Sequence, residues 1–378
     1  MIYKAFQGTN LSRLGMGNMR LPTTGEGFHA PVDYAKAQEI VDFAMAGGVN
    51  YYDTAFDYHG GDSERFLGQA LAKYPRESYH LATKFYVLVS EDYKAVFDEQ
   101  LEKLKTDYID FYLIHGIFDH TFQRYLDIGC IDYFIEQQKK GRIRYLGFSS
   151  HASISNFTTF VSRHQWDFVQ IQLNYYDWFY GTAKEQYDIL EQWGIPVIAM
   201  GPLRGGRLAT LSDAADAKMK ATHPDWSIAS WAFRWMKRLP NVQVILNGMS
   251  TLEDAKDSVR HFADANGLSD EDEKILIEAC EAFRTELRIP CTACRYCCSP
   301  CPAKIEIDKV LEIYNRFKLD GPWGIADLNN MESEGKVTDC VECGKCDENC
   351  PQSISIKEIM MELNGMLKRF SNFFGSAE

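Results

Sequence analysis

The stretch YHLATKFYVLVSEDYKAVFDEQLEKLKTDYIDFYLIHG, residues 79–116, changes its pattern twice. Its two ends, YHLATKF (79–85) and IDFYLIHG (109–116), are short apolar runs with the length of buried strands. The segment between them carries apolar residues at the helical spacing of three to four: Tyr93, Phe97, Leu101 and Leu104. The stretch therefore predicts one strand–helix–strand unit.

The same alternation continues on both sides of this unit, from residue 13 to residue 262. Six more strand-like runs are RLGMG (13–17), NYYDT (50–54), IRYLGFS (143–149), FVQIQLN (168–174), PVIAMG (196–201) and VQVILNG (242–248). Further helical patterns are Ala37, Ile40, Val41, Ala44 and Met45, and Ile228, Trp231, Ala232 and Trp235. These strand–helix units predict a (β/α)8 barrel rather than an open sheet. The near-continuous apolar runs predict parallel strands that are covered on both faces.

Two copies of one cysteine pattern follow the predicted barrel. They are Cys291-x2-Cys294-x2-Cys297-x3-Cys301-Pro302 and Cys340-x2-Cys343-x2-Cys346-x3-Cys350-Pro351. In such ferredoxin runs, three thiolates of one run bind one [4Fe–4S] cube and the fourth binds the other cube. We therefore expect two cubes, one bound by Cys291, Cys294, Cys297 and Cys350 and the other by Cys340, Cys343, Cys346 and Cys301. Two structural zinc sites are the alternative for paired Cys-x2-Cys units, but two four-cysteine runs with identical spacing favour the clusters.

The cysteine runs also set the predicted domain organisation. A helix is expected from Ser269, which suits an N-cap, to about Arg284, just before the first run. We predict an α/β barrel domain over residues 1–285 and a small ferredoxin-like iron–sulfur domain over residues 286–370. After the second run, one apolar helical face is predicted to pack on a core: Ile356, Ile359, Met360, Leu363 and Leu367.

Composition and charge narrow the class of protein. The chain has 378 residues, 46% hydrophobic and 25% charged, which is ordinary for a soluble globular protein. Its net charge of −13 argues against nucleic acid or an anionic membrane as a partner. The start, MIYKAFQGTN, lacks a signal-peptide pattern, and no run of apolar residues is long enough to span a membrane.

Cysteine usage indicates the compartment. Eight of the 11 cysteines occupy the motif positions of the two runs, so we expect a reducing cytoplasm rather than a disulfide-bonded secreted protein. Of the others, Cys130 and Cys280 are predicted to be buried small side chains. Cys298, inside the first run, is predicted to be either a spare thiol or merely a neighbour of the cluster ligands.

Four reactive side chains stand at or near the ends of predicted strands, where barrels of this kind place their active sites. Asp53, Lys84 and His115 close three successive runs, and Tyr58 follows Asp53 by five residues. The motifs D-T-A-x-x-Y with a downstream S-E, then T-K-F, then L-I-H, resemble those of the aldo-keto reductases. The resemblance implies that Tyr58, Lys84, Asp53 and His115 form a catalytic tetrad. The cysteine-bearing extension resembles that of an iron–sulfur branch of the same family.

The four residue types suit carbonyl reduction without reference to a family. Reduction by hydride needs a proton donor at the carbonyl oxygen, and a free Tyr is a poor acid because its pKa is about 10. A neighbouring Lys84 ammonium is expected to favour the Tyr58 phenolate and so to ease proton donation. Asp53 is expected to hold Lys84, and His115 to hydrogen-bond the substrate oxygen.

The resemblance also implies a nicotinamide site, although the chain has no G-x-G-x-x-G loop and the family uses none. The residues that match the family's cofactor-binding positions are Ser149, Ser150, Gln172, Pro202, Leu203, Gly205, Gly248 and Ser250. Ser150 replaces the usual Asn, and Met200 stands near the position where many members carry an aromatic residue. Asp254 and Ser258 stand where members that choose NADPH carry Arg and Asn. We expect NAD(H) over NADP(H), because a carboxylate repels the 2′-phosphate.

Aromatic residues are expected around the mouth of the barrel, where they would suit a flat or apolar substrate. They are Phe28, Phe85, Tyr86, Tyr175, Trp178 and Phe179. The expected function is an oxidoreductase that reduces a carbonyl, or oxidises the alcohol, of a small or aromatic molecule. Because a nicotinamide carries two electrons and a cube carries one, a flavin or a separate flavoprotein or ferredoxin is expected between them.

Two other functions fit the same residues. In one, the barrel has lost turnover and acts as a redox-sensing or electron-delivering partner protein. In the other, the clusters are purely structural and the barrel is an ordinary reductase. The intact set of Asp53, Tyr58, Lys84 and His115 favours an enzyme.

Overall fold

The computed structural model describes residues 1–25, 30–287, 289–291, 293–320, 322–329 and 331–374. The strands are β1 (Tyr3–Phe6), β2 (Thr9–Ser12), β3 (Leu14–Gly17), β4 (Tyr51–Asp53), β5 (His80–Phe85), β6 (Ile109–Ile117), β7 (Ile143–Ser150), β8 (Phe168–Gln172), β9 (Val197–Met200) and β10 (Val242–Gly248). All the runs predicted as strands are confirmed, with ends that shift by one or two residues.

The α-helices alternate with these strands and then continue beyond them. They are α1 (Tyr34–Ala46), α2 (Asp62–Ala70), α3 (Tyr93–Leu104), α4 (Phe122–Asp127), α5 (Cys130–Lys139), α6 (Ile154–Val161), α7 (Tyr175–Tyr180), α8 (Ala183–Gln192), α9 (Asp213–Thr222), α10 (Ile228–Lys237), α11 (Leu252–His261), α12 (Asp270–Leu287), α13 (Ile307–Asp320), α14 (Ala326–Asn329), α15 (Lys345–Glu348) and α16 (Ile356–Phe374). Among the described residues, no helix is both long and apolar enough to cross a membrane.

Strands β3 to β10 close into a parallel barrel in the order β10-β3-β4-β5-β6-β7-β8-β9. This confirms the predicted (β/α)8 architecture. Side chains of alternate residues point to opposite faces of a strand, so every second residue fills the barrel. The lower interior layer includes Tyr51, Phe111, Phe168 and Val244, which are buried together.

A hairpin of β1 and β2 was not predicted from the sequence. Its Phe6 and Leu11 join the lower interior layer of the barrel. The hairpin turns at Gln7 and Gly8, whose φ angles are 43° and 86°. Two-residue hairpin turns need positive φ, and Gln-Gly is a weaker signal for such a turn than Asn-Gly. The sequence of these two short strands and their turn is therefore a weak predictor of a hairpin.

The chain divides into two compact units. The first consists of Met1–Leu211 and Asp216–Ile277, and the second of Ser212–Ala215 and the residues from Glu278 onward. Helix α12 begins with a capping box, in which Ser269 Oγ accepts from Asp272 N at 3.1 Å, as the predicted N-cap requires. Because α12 runs through residue 285, the domain boundary predicted there stays a prediction.

The second unit has its own apolar core. Helices α13 and α16 contribute Val310, Leu311 and Leu363, all fully or almost fully buried. The apolar face predicted after the second cysteine run is confirmed, since Ile356, Ile359, Met360 and Leu363 are buried there and Leu367 packs against them. Six of the eight cysteines of the two runs belong to this core or pack against it: Cys291, Cys297, Cys301, Cys340, Cys346 and Cys350.

Candidate active site and cysteine cavities

The four residues of the predicted tetrad lie at one end of the barrel. Asp53 is the last residue of β4, while Lys84 and His115 lie near the ends of β5 and β6. Tyr58 follows β4 in a short turn. All the barrel strands are parallel, so their C-terminal ends meet at one rim and bring these side chains together.

Lys84 is the centre of the arrangement. Its Nζ donates to Asp53 Oδ1 at 2.5 Å and to the Thr54 carbonyl at 2.6 Å, and it lies 3.4 Å from Tyr58 Oη. The whole Lys84 residue is 0% exposed. A buried ammonium is tolerated only when it is paired and hydrogen-bonded, so the Asp53 carboxylate fixes both the charge and the position of Lys84.

The pKa of Tyr58 departs from the expectation drawn from the sequence. Burial, followed by the carboxylates of Asp53 and Asp57, raises the pKa of the Tyr58 phenol well above its ordinary value. Lys84 does not reverse this, because its charge is already matched by Asp53 at 2.5 Å. The Tyr58 phenol therefore holds its proton until a stronger base, such as a developing alkoxide, comes within reach.

His115 lies across the site from Lys84. Its ring centroid is 5.7 Å from that of Tyr58, and its Nδ1 is 3.5 Å from Asp57 Oδ1. Burial, and then the nearby Lys84 charge, lowers the pKa of His115 well below its ordinary value. A neutral imidazole carries one N–H, which suits it to donate a hydrogen bond rather than a proton.

A buried polar network behind Lys84 was missed by the sequence reasoning. Glu64 Oε1 accepts from Thr83 Oγ1 at 2.6 Å and from Gln100 Nε2 at 2.8 Å. Gln100 Nε2 also donates to the Lys84 carbonyl at 3.0 Å. These bonds tie α2 and α3 to the end of β5 and hold the Lys84 backbone in place. The S-E motif contains Glu64, but the sequence does not reveal which strand it would contact.

The residues predicted to bind a nicotinamide occupy different environments. Ser149 is buried, and its Oγ accepts from Gly116 N at 2.8 Å. Ser150 is also buried, and its Oγ accepts from Ala152 N at 3.1 Å within its own loop. Gln172 Nε2 donates to Asp177 Oδ2 at 2.7 Å, so this amide nitrogen already has a partner.

Gln170 is a further polar group at this end of the barrel. It pairs in register with Ser149 on the neighbouring strand, and it is 2% exposed. Its Oε1 is buried and has no hydrogen-bond partner in the part of the chain that the structure describes. Such an orphaned acceptor is costly unless something else satisfies it. The sequence reasoning chose Gln172, two positions further along the same strand.

The other predicted cofactor residues lie on two loops that meet a third. Pro202, Leu203 and Gly205 follow β9, while Gly248 and Ser250 lie at the end of β10. Arg20, from the loop after β3, joins these loops. Its guanidinium lies 3.1 Å from the position that a Cβ on Gly205 would take, and its carbonyl accepts from Ser250 Oγ at 2.8 Å. Arg20 was missed because nothing in the sequence shows that the loop after β3 reaches these two loops.

Asp254 and Ser258 are both engaged with their own segment. Asp254 Oδ2 accepts from Ser250 N at 3.1 Å and from Thr251 N at 2.9 Å, at the start of α11. Ser258 is buried, where its Oγ accepts from Asn247 Nδ2 at 2.9 Å. The Asp254 carboxylate therefore occupies the backbone donors that an anionic group would otherwise use at this helix start.

Aromatic side chains line the mouth of the barrel next to His115, but only one of them was among those predicted. Tyr86, after β5, has its ring centroid 5.0 Å from that of His115. Phe118, after β6, lies beside Tyr86, because Gly116 with φ of 59° leaves room for both rings. Phe118 also stacks on His151, after β7, at 4.9 Å and 14°. We call Tyr86, His115, Phe118 and His151 the ring wall.

The other aromatic residues predicted at the mouth have different surroundings. Phe85 is fully buried and packs on Tyr125 and Phe134, because its neighbour Lys84 takes the inward-facing position on β5. Tyr175 is fully buried. The rings of Trp178 and Phe179 pack against Trp235 of α10. Phe28 lies outside the described residues.

In the second unit, the eight cysteines of the two runs line two cavities in a crossed pattern. Cys291, Cys294, Cys297 and Cys350 line the first cavity. Cys301, Cys340, Cys343 and Cys346 line the second. Each cavity therefore takes three cysteines from one run and the last cysteine from the other, which is the arrangement predicted from the spacing.

The donor set of each cavity fits a cube rather than a single ion. Within the described ranges, no group of three or more His, Cys, Asp or Glu side chains converges closely enough to hold one metal ion. Four thiols spread around a cavity match the separate iron corners of a cube. None of the 11 cysteines, all of which lie in the described ranges, forms a disulfide. Cys298 lines neither cavity, and its Sγ donates to Asp308 Oδ1 at 3.2 Å.

The other two cysteines are buried as predicted. Cys130 and Cys280 are both 0% exposed. Burial raises the pKa of each thiol to about 12, so both stay protonated at neutral pH.

Comparison with known proteins adds two family matches. Residues 13–281 match the aldo/keto reductase family, and residues 290–354 match the 4Fe-4S dicluster domain. The chain is 28% identical to an uncharacterized oxidoreductase, YqkF, of Bacillus subtilis, over 71% of this chain and 92% of that protein. It is 24% identical to L-galactose dehydrogenase of Arabidopsis thaliana, over 71% of this chain and 93% of that protein. Among solved structures, the holo form of aldo-keto reductase AKR11C1 from Bacillus halodurans has a TM-score of 0.61 at 25% identity, covering 74% of this chain and 96% of that one.

Proposed function

Since the chain belongs to the aldo/keto reductase family and carries a 4Fe-4S dicluster domain, we propose that it reduces the carbonyl group of a small or aromatic molecule, or oxidises the corresponding alcohol. We further propose that it exchanges electrons through two [4Fe–4S] clusters. The observation that carries the carbonyl chemistry is the Lys84–Asp53 pair, 3.4 Å from the Tyr58 hydroxyl. The presence of a proton donor, its charged neighbour and a hydrogen-bonding His115 at one rim favours an enzyme over a barrel that has lost turnover.

In the reducing direction, the chain's own residues manage the proton. A bound nicotinamide supplies a hydride, which carries two electrons. Tyr58 donates its proton to the carbonyl oxygen as negative charge develops there. The Lys84 ammonium, held by Asp53, then stabilises the remaining phenolate. The neutral His115 donates a hydrogen bond to the same oxygen and orients the carbonyl.

Ser149 and Gln170 are the proposed partners of the nicotinamide carboxamide. The buried Oε1 of Gln170 needs a donor, and a carboxamide N–H is one. The amide nitrogen of Gln172, by contrast, donates to Asp177. Gln170 is therefore better suited than Gln172 to the carboxamide. Ser150 is proposed to shape the loop after β7 through its bond to Ala152.

The pyrophosphate of the cofactor is proposed to lie among the loops after β3, β9 and β10. Gly205 has a φ of 70°, which glycine adopts at low cost, and it leaves space for the Arg20 guanidinium. A guanidinium is a suitable partner for phosphate oxygens. Pro202, Leu203, Gly248 and Ser250 would then form the remaining walls of this site.

Dinucleotide choice gives a first testable prediction. We expect NADH to bind more tightly than NADPH, because the Asp254 carboxylate repels a 2′-phosphate and already uses the donors of Ser250 and Thr251. Asp254→Asn should reduce the difference in affinity between NADH and NADPH, because it removes the negative charge. The matched control is Glu253→Gln, an exposed carboxylate on the same helix turn, which should leave the ratio unchanged. Equilibrium titration with both dinucleotides provides the measurement, and tighter NADPH binding by the unmodified protein would refute the assignment.

The ring wall supports a planar substrate. Its rings stand on three successive loops beside His115, so a flat carbonyl compound or a conjugated alkene would meet aromatic faces next to the hydrogen-bonding group. NADH-dependent reduction of an aromatic aldehyde, compared with an aliphatic aldehyde of similar length, tests this part of the proposal. A lower kcat/KM for the aromatic aldehyde would contradict it.

Electron exchange needs a converter between two-electron and one-electron carriers. We propose that a flavin held by the barrel, or a separate flavoprotein or ferredoxin, stands between the nicotinamide and the clusters. Anaerobic protein that contains no flavin should then show little cluster reduction by NADH alone in EPR spectra. Dithionite is the control, since it should reduce the same clusters directly. Prompt and complete reduction by NADH would show that no converter is needed.

A further inference from the structure

The two cysteine cavities differ in the charges around them. Lys345 and Lys357 line the second cavity, together with Glu342. Asp347 also lies close, because its Oδ1 is 3.6 Å from Cys346 Sγ and accepts from the backbone N of Lys357 at 2.8 Å. In the part of the chain that the structure describes, neither lysine forms an ion pair with a carboxylate. The two positive charges are therefore not neutralised by direct contact.

The first cavity has a different balance. Arg295 and Asp308 line it. Arg295 is paired with Glu306 at 3.0 Å and lies 3.8 Å from Asp308. Glu306 does not line the first cavity and is itself paired with Lys309 at 2.7 Å. Among the residues that line the cavities, Arg295 and Asp308 cancel at the first, whereas Lys345, Lys357 and Glu342 leave one net positive charge at the second. The surroundings of the second cavity are the more positive by about one unit charge.

Lys357 is the residue best placed to act on a cube in the second cavity. It is the second residue of α16 and is half-buried, whereas Lys345 is exposed. Water and salt screen an exposed charge much more than a partly buried one, so Lys357 should have the larger effect per unit charge.

We infer that Lys357 raises the reduction potential of the cube in the second cavity, so that the first electron entering the domain settles there. Reduction adds one negative charge to a cube, and a nearby ammonium stabilises the more negative form. Local net charge is one of the factors that set the potential of iron–sulfur cubes. The inference rests on the proposed function only in requiring that both cubes are bound.

The test is an anaerobic redox titration of the full chain, with dithionite as reductant and EPR as the readout. The unmodified protein should show two one-electron steps at different potentials. Lys357→Gln should lower the higher step by about 59 mV, which corresponds to a tenfold change in a one-electron equilibrium, and leave the lower step in place. Lys357→Arg keeps the positive charge, so its higher step should stay at the potential of the unmodified protein.

Lys309→Gln is the matched control. Lys309 lies in the same unit and is paired with Glu306 at 2.7 Å, and it lines neither cavity. Neither step should move in this variant. A single unresolved step in the unmodified protein, or a Lys357→Gln variant in which the lower step or neither step moves, would overturn the inference. Iron counts test separately the premise that both cubes are bound. About four irons per chain instead of eight would refute the two-cube proposal itself.

Discussion

Tyr58→Phe is expected to lower kcat for carbonyl reduction by about 10²–10⁴, the usual contribution of a positioned acid. The change removes only the hydroxyl oxygen that lies 3.4 Å from Lys84 Nζ. Without it, the hydroxyl proposed to give its proton to the developing alkoxide is gone. KM should change little, because the phenol acts on the transition state rather than on the bound substrate.

The controls for this variant separate chemistry from folding. Iron content, nicotinamide affinity and the thermal unfolding midpoint should match those of the unmodified protein. Tyr133→Phe is the matched substitution, since Tyr133 packs against Tyr93 and Phe97 in the helix layer and lies away from the barrel mouth. If Tyr58→Phe retains kcat within about tenfold, the proton donor must be sought elsewhere.

The barrel was predictable from sequence because each strand has a recognisable local pattern. Parallel strands are buried on both faces, so each one appears as a short apolar run between helical patterns. The direction in which Phe85 points was harder to predict. A fully apolar run hides the alternation that separates inward from outward residues, and Phe85 was placed at the mouth although Lys84 takes the inward position. The β1–β2 hairpin was missed because two four-residue strands carry little periodic signal.

That these four side chains lie at one rim was predictable for a related reason. Asp53, Lys84 and His115 stand at or near the ends of consecutive strands, with Tyr58 just after the first. The geometry of a parallel barrel brings such strand ends together whatever the rest of the sequence does. Contacts between distant segments are not encoded in this way. Glu64 reaches Thr83, and Arg20 reaches the loops after β9 and β10, through side-chain directions that only the folded chain reveals. The pKa of Tyr58 was misjudged for the same reason, because its burial depends on how the loop after β4 packs.

The largest structural effect is expected from the cysteines at the ends of the two runs. Cys350 lines the first cavity although it belongs to the second run, and Cys301 lines the second cavity although it belongs to the first run. In the Cys350→Ala variant the cube of the first cavity should therefore be lost, and the iron content should fall from about eight to about four per chain. Cys298→Ala is the control and should keep all the iron, since Cys298 lines neither cavity.

Double substitutions identify which cube is lost. If ligation is crossed, Cys291→Ala with Cys350→Ala removes two ligands of one cube, so the iron content should remain at about four. Cys340→Ala with Cys350→Ala removes one ligand from each cube, so the iron content should fall towards zero. Ligation within each run gives the opposite order, because Cys340 and Cys350 would then share a cube. Iron and sulfide counts on anaerobically purified protein decide between the two orders. The comparison holds even if each loss loosens the domain, because both variants lack Cys350 and differ only in the second substitution.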